Sequence, residues 1–298
     1  MLEFRNITVQ DKKLYLEYSK DNSPRGCEMS FANLFMWGDQ KIAEKDGHLF
    51  FLSKFYDHVF YPFPYGHGDK KQAIDMIIAD AKERNIPCVI SAVCENEKQT
   101  LESLFPDRFE FTTSDSSYDY VYDINDLADL KGRKYHKKRN HLYHFQKAYP
   151  DYTVSPINKD DVLAVKQFVD GWYTQKDDGT GEFDYEKVVF DRAMDNYESL
   201  GLIGLMLLVE GKVVAVTFAS QFTHDTLDVH FEKATAGIDG AYTAINYEFA
   251  RYVRENYPNV NFLDREEDMG LAGLRHAKRS YYPHHQIVKY KATLKSED

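Results

Sequence analysis

Residues 202–234 read LIGLMLLVEGKVVAVTFASQFTHDTLDVHFEKA, and their pattern decides the architecture. Residues 202–209 form a near-continuous apolar run, and 213–221 form a second, joined at Glu210-Gly211-Lys212. Two such runs around a short glycine-containing turn predict a β-hairpin. Residues 226–232 then alternate and predict a third strand. Alternation places Asp228, His230 and Glu232 on one face, with Val229 and Phe231 on the other. Three ionisable groups in a row on a strand are costly unless wet or paired. They mark either a cavity wall or a solvated edge strand.

The segments on either side extend the pattern. After the glycines of 237–240, a helix is predicted to residue 255, with Tyr242, Ile245, Phe249 and Tyr252 on one face. Residues 260–263 read as a strand, 271–278 as a short helix and 286–290 as a final strand. Upstream, 160–173 is amphipathic through Leu163, Phe168, Val169 and Trp172, 175–181 is a loop, and 185–200 is helical. Helix, helix, hairpin, third strand, glycine turn, helix, strand, helix, strand is the element order of a GNAT acyltransferase. In that fold the sheet splays open at its middle strands and acyl donor and acceptor meet in the opening.

The first half repeats the order without a residue-level repeat. A short helix is predicted over 11–19, offering Leu14, Leu16 and Tyr18. Strands are predicted at 49–52 and 59–61, ending at Pro62-Phe63-Pro64, and a helix at 69–84 with Ala73, Met76, Ile77 and Ala81 at helical spacing. A buried strand over 87–93, a helix over 97–105 stopped by Pro106, and a strand over 118–122 follow.

Composition narrows the class. The chain has 298 residues, 43% hydrophobic and 29% charged, with 22 Tyr and 20 Phe, enough for a full core. The net charge of −11, taken alone, disfavours non-specific nucleic-acid binding. Residues 131–150 nevertheless hold seven Lys or Arg and no acid. Here Tyr135, Leu142, Phe145 and Tyr149 mark one helical face, while Lys134, Lys137, Lys138, His141 and His144 lie largely off it. The segment is either a solvated helix face or an anion site. Cys27, Cys88 and Cys94 fit no zinc or redox spacing and are expected to be reduced thiols. The N-terminus lacks a signal-peptide core, and the longest purely apolar run, 205–209, is far below the ~20 residues needed to span a bilayer. A cytoplasmic protein with at most peripheral membrane contact is expected.

Three stretches carry a family resemblance: LKGRKYHKKRNH at 130–141; TLDVHFEKA at 226–234 with GAYTAIN at 240–246; and NFLDREEDMG at 261–270, continuing through GLRHAK at 273–278. They resemble a bacterial family similar to the C-terminal domain of phosphatidylglycerol lysyltransferases. The resemblance implies an α+β fold of two tandem GNAT-like domains, each a mixed, mostly antiparallel splayed sheet flanked by helices. Expected boundaries are 1–130 for the first domain, 131–150 for a basic connecting helix, and 151–298 for the second domain with the active site. It also implies transfer of an aminoacyl group from aminoacyl-tRNA to a hydroxyl or amine acceptor, as in the peptidoglycan peptidyltransferases that use aminoacyl-tRNA. The membrane-spanning half of the lipid-modifying members is missing here, so the acceptor can be a small molecule, a peptide or a lipid. Two other readings remain: an acyl-CoA-dependent N-acyltransferase, and a non-catalytic anion-binding module.

Aminoacyl transfer needs a base, a polarised ester carbonyl and a grip on the anionic carrier. His230 or Glu232, beside Asp228, is the candidate base. Arg265 can bind a carboxylate or phosphate as a fork, and Glu266 or Asp268 can recognise an ammonium, although Asp268 can equally cap a helix before Leu271. Arg275 and Lys278 complete the substrate-binding set. The 237–240 turn can hold an anion such as coenzyme A pyrophosphate, or be a plain turn. Lys134, Lys137, Lys138 and Arg139 are the candidates for tRNA phosphates. Tyr135 and Tyr143 either stack on a nucleotide or serve as core or rim contacts. His136, His141, His144, His284 and His285 form no convincing metal set. No tightly bound cofactor is expected beyond the donor itself.

Overall fold

The computed structural model describes residues 1–20, 26–55, 57–176 and 183–296. The chain forms two compact units: Met1–Asp119 with Glu267–Ala272 and Gln286–Asp298, and Tyr120–Glu266 with Gly273–His285. Each contains one mixed sheet flanked by helices.

In the first unit the strands run in the order Arg5–Asn6, Asp39–Lys45, His48–Phe55, His58–Pro62, Val89–Val93, Tyr290–Leu294, Phe109–Thr113. His58–Pro62 and Val89–Val93 are parallel, and the other registered pairs are antiparallel. Helix Lys70–Glu83 starts where Asp69 accepts from the backbone N–H groups of Lys71 and Gln72. It buries Ala73, Ile74, Ile77 and Ala81 in a core with Phe50, Tyr61, Ile90 and Leu101. Met76, expected on that face, is only partly buried against this core. In helix Lys12–Ser19 the buried residue is Tyr15, while Leu16 is exposed. The hairpin strand Asp39–Lys45 and helix Phe31–Met36 were not apparent from periodicity.

In the second sheet the order is His285–Ile287, Asp119–Asp123, Phe262–Asp264, Thr226–Ala234, Lys212–Gln221, Ile203–Val209, Thr153–Pro156. The expected hairpin and third strand are present, turning at Glu210 and Gly211, both with positive φ. Helix Ala241–Asn256 covers one face of the sheet. Its buried stripe is Ala244, Ile245, Phe249 and Val253, packed with Leu205, Leu207, Leu227 and Val229. Burying side chains such as Ile245 and Phe249 contributes roughly 1.5–3 kcal/mol each. Tyr242, expected on this stripe, is exposed. On helix Val162–Lys176 the buried residues are Val165, Val169 and Tyr173, and Leu163 is exposed. Residues 177–181 of the expected loop lie outside the described residues.

The strands are not distributed as a division at 130–150 requires. Tyr290–Leu294, at the end of the sequence, is an interior strand of the first sheet, between Val89–Val93 and Phe109–Thr113. Asp119–Asp123, from the first half of the sequence, is an interior strand of the second sheet, beside Phe262–Asp264. The two halves have exchanged the strand next to each parallel pair. The compact units therefore differ from 1–130 and 151–298, and the basic helix, His136–Ala148, belongs to the second unit.

Candidate functional site

The parallel strands Thr226–Ala234 and Phe262–Asp264 pair only at Thr226–Phe262, Leu227–Leu263 and Asp228–Asp264. Beyond Asp228 they part, and the polar residues of both strands gather at the parting. The Asp264 carboxylate accepts from the Glu266 N–H at 2.9 Å, closing a tight turn in which Glu266 has φ +58°. A non-glycine residue there costs about 1–2 kcal/mol, and such strain concentrates at functional sites. Lys278, from helix Ala272–Arg279, donates to the backbone carbonyls of Arg265 and of Glu266 (3.0 Å), clamping the same turn.

The expected single row of Asp228, His230 and Glu232 does not form. Ala219 pairs with Val229 but Phe218 pairs with Phe231, which leaves His230 as the extra residue of a β-bulge. The Thr217 hydroxyl donates to the Phe231 carbonyl beside it at 3.0 Å. Before the bulge, Leu227 and Val229 face helix Ala241–Asn256. After it, Glu232 does so, accepting from Asn246 of that helix at 3.2 Å. Phe231 and Lys233 instead meet Phe190 and Glu186 of helix Asp184–Asp195. The bulge thus moves Glu232 to the opposite side of the strand from Asp228 and His230.

Two clusters result. In the first, His230 Nε2 lies 2.9 Å from Ser220 Oγ, and its Nδ1 lies 3.3 Å from Glu266 Oε1 and 3.6 Å from Asp228 Oδ2. The His230 side chain is 0% exposed, so it meets no solute directly, whereas Glu266 is 19% exposed. In the second, Arg265 Nη2 donates to Glu232 Oε1 at 2.9 Å, and its guanidinium lies 5.1 Å from the Tyr281 ring and 5.6 Å from the Tyr122 ring. Burial works against the Arg265 charge, but Glu232, Tyr122 and Tyr281 more than offset it and hold its pKa above the ordinary value. Lys138 reaches in from the basic helix, with Nζ 3.7 Å from the Tyr281 ring centroid. Burial, aided by the Arg265 charge and opposed by Glu232, lowers the Lys138 pKa to about 8. Arg265 Nη1 is buried and has no hydrogen-bond partner among the described residues.

The other candidates lie elsewhere. Lys134 is ion-paired to Asp126 at 2.9 Å. Arg139 donates to the carbonyls of Leu130 and of Gly132 (2.7 Å), capping the preceding turn. Lys137 is exposed. Tyr135 is buried, bonding the Tyr281 carbonyl at 2.9 Å, while Tyr143 is exposed on the helix surface. Asp268 belongs to the first unit and accepts from the Gly270 N–H at 2.9 Å, closing a turn ahead of helix Ala272–Arg279. Arg275 sits half-buried on helix Ala272–Arg279. Gly240, at φ +79°, opens helix Ala241–Asn256, and a Cβ there would come 2.6 Å from the His141 carbonyl. That helix N-terminus is thus packed against the basic helix. Asp228, His230 and Glu266 together have metal-ligating atoms within 4.8 Å of one another. Ser220, Asn246 and Tyr281 escaped the sequence reading, because a single polar residue in an apolar strand or helix has no periodic signature.

No helix of the described residues is long and apolar enough to cross a membrane. Known proteins share this architecture. A conserved protein of unknown function from Bacteroides thetaiotaomicron VPI-5482 is 38% identical, with a TM-score of 0.92 over 99% of this chain and 100% of that one. The structure of L-PGS from Bacillus licheniformis, 14% identical, has a TM-score of 0.71 over 99% of this chain and 94% of that one. A tandem GNAT protein from the clavulanic acid biosynthesis pathway, 9% identical, has a TM-score of 0.51 over 100% of each chain. At such low identity the last two show the fold alone, and that fold is the tandem GNAT-like one expected from the family resemblance and the repeated element order. An uncharacterised protein of Mycoplasmoides gallisepticum, MYCGA3080, is 26% identical over 177 residues, which are 59% of this chain and only 56% of that protein's length. Residues 20–293 match the phosphatidylglycerol lysyltransferase C-terminal family, and the chain belongs to it.

Proposed function

We propose that the second unit transfers an aminoacyl group from an aminoacyl-tRNA to a hydroxyl or amine acceptor. The observation that carries this reading is the Ser220–His230–Glu266 chain of contacts at the point where the two parallel strands part. The acceptor oxygen or nitrogen attacks the ester carbonyl and forms the new acyl bond, while the ester bond to the terminal ribose breaks. Glu266, the exposed end of the chain, takes the acceptor's proton. His230 orients the Glu266 carboxylate and stabilises the charge change, and Ser220 fixes the imidazole from its far side. The proton then returns to the ribose oxygen as it leaves.

The acyl-CoA reading is less well supported. In GNAT enzymes the pyrophosphate lies at the helix N-terminus that here contacts His141 and Phe145. Filling that place with a neighbouring helix backbone leaves little room for a pyrophosphate.

The test is a transfer assay with separately charged tRNAs and separate acyl-CoAs, against hydroxyl and amine acceptors. Label should move from a charged tRNA in the wild type and fall ~10²–10⁴-fold in Glu266→Gln. Transfer from acyl-CoA alone, or undiminished transfer by Glu266→Gln, defeats the proposal.

A further inference from the structure

We propose that Lys138 and Arg265, both set against the Tyr281 ring, form a subsite for one phosphodiester anion. The subsite deepens the transfer reading and rests on it for its purpose, though not for its existence.

The argument begins with charge. Lys138 and Arg265 bring two cations to one ring, and the groups facing them are Tyr281, Tyr122 and a single carboxylate, Glu232. One positive charge is left over in a largely buried place. Burial is the larger cause of the lowered affinity of Lys138 for its proton, and the Arg265 charge adds a like-charge opposition to it. A singly charged anion would remove it.

Hydrogen bonding defines the anion further. Arg265 Nη2 already donates to one carboxylate, Glu232, so part of the guanidinium is engaged. The donor left without a partner among the described residues is the buried Nη1, and the Lys138 ammonium arrives beside it from helix His136–Ala148. Two donors from separate directions suit separate oxygens of a tetrahedral anion better than the coplanar pair of a carboxylate. An unmet buried donor is costly, and a bound oxygen recovers that cost.

The rest of the basic helix sharpens the assignment. Lys134 is engaged by Asp126, and Arg139 by two backbone carbonyls. Of the four basic candidates, only Lys138 turns toward the cluster.

The experiment is a calorimetric or NMR titration of the full chain with dimethyl phosphate, the smallest phosphodiester. The wild type should bind it. Lys138→Gln should weaken binding about 10-fold, the worth of a charge-assisted hydrogen bond. Arg265→Lys, which keeps the charge beside Glu232, should also weaken it, and Lys134→Gln should not. Circular dichroism verifies that each variant folds. Affinity in the wild type should fall as pH rises through about 8, where Lys138 loses its charge, and the fall should vanish in Lys138→Gln. The dinucleotide CpA and glycerophosphoglycerol then distinguish the source: tighter binding of the first points to the donor's carrier, and of the second to a headgroup acceptor. Glu266→Gln should lose transfer yet keep dimethyl phosphate binding, so the two readings can fail separately. No binding by the wild type, or equal binding by Lys138→Gln, overturns the subsite.

Discussion

Replacing the buried Lys289 with Met should destabilise the first unit. Its ammonium lies 2.8 Å from Asp119, 2.8 Å from Glu28, 3.4 Å from Glu267 and 3.7 Å from the Cys27 thiol. The Asp119 side chain is 0% exposed, and its other oxygen accepts the Cys27 N–H at 2.8 Å. Met has similar length but no charge, so Asp119 would keep one backbone donor and lose its cation. Removing one partner of a buried pair costs about 3–5 kcal/mol. The pH dependence follows from Asp119. Burial, with Glu28 and Glu267 adding to it, outweighs the pull of Lys289 and raises this carboxyl to about 7. A carboxyl raised above its unfolded value binds more protons folded than unfolded, so its contribution to stability declines as pH climbs from about 4 to 7. Without Lys289 the carboxyl rises further. The deficit of Lys289→Met should therefore be largest above neutrality and shrink on acidification. Urea unfolding of both proteins at pH 5 and pH 8 measures it, with Asp119→Asn in the variant background expected to restore part of the loss. A deficit below about 1 kcal/mol at pH 8, in the range of a surface ion pair, or one independent of pH, would refute this account of the cluster.

Further outcomes are expected. His230→Gln should lower aminoacyl transfer by ~10²–10⁴-fold with little change in thermal unfolding, because Gln can still bond Ser220; unchanged turnover removes His230 from the reaction. Gly240→Ala should lower stability by about 1–3 kcal/mol, since its Cβ meets the His141 carbonyl and its φ is left-handed, and a melting curve matching the wild type would contradict the close helix approach. A chain ending at Val288 should fail to give a protease-resistant first unit, because Tyr290–Leu294 is an interior strand there; a resistant fragment would show that the exchanged strand is dispensable. Arg139→Ala should cost about 1 kcal/mol through its lost bonds to Leu130 and Gly132, while leaving dimethyl phosphate binding unaltered; an affinity change would return Arg139 to the anion site.

The sequence revealed the elements whose information is local. The 202–234 hairpin and third strand, the helix capped by Asp69 and the buried face of the basic helix all follow from spacing and turn chemistry. Three features were not legible. The His230 bulge is a register property of two strands, and nothing in residues 226–234 alone marks where the partner will slip by one. The exchange of Asp119–Asp123 and Tyr290–Leu294 is a long-range pairing, which period-two alternation cannot assign to one sheet or the other. The fate of the basic residues depended on distant partners: Asp126 for Lys134, backbone carbonyls for Arg139, and an aromatic ring 143 positions away for Lys138. Asp268 read as a binder or a helix cap in sequence, and in the structure it bonds the Gly270 N–H in a turn before the helix begins at Ala272.

The bulge explains how one short strand serves two kinds of chemistry. Without it, Asp228, His230 and Glu232 would crowd three ionisable groups onto one face, with two carboxylates on either side of the imidazole. Arg265 and Glu266 follow the strand Phe262–Asp264 in a tight turn, and the left-handed Glu266 sends the two side chains to different partners. The extra residue brings the two sides into step: Glu232 meets Arg265, while His230 meets Glu266. Each charged group then finds its partner on its own side, and neither cluster has to share counter-charge with the other. A proton-handling site and an anion-holding site can coexist within a few residues only if their charges are kept apart, because at low dielectric each would otherwise reset the other's protonation. The strain at Glu266 and the Lys278 clamp on its carbonyl serve the same end, since both fix the direction in which that carboxylate leaves the strand.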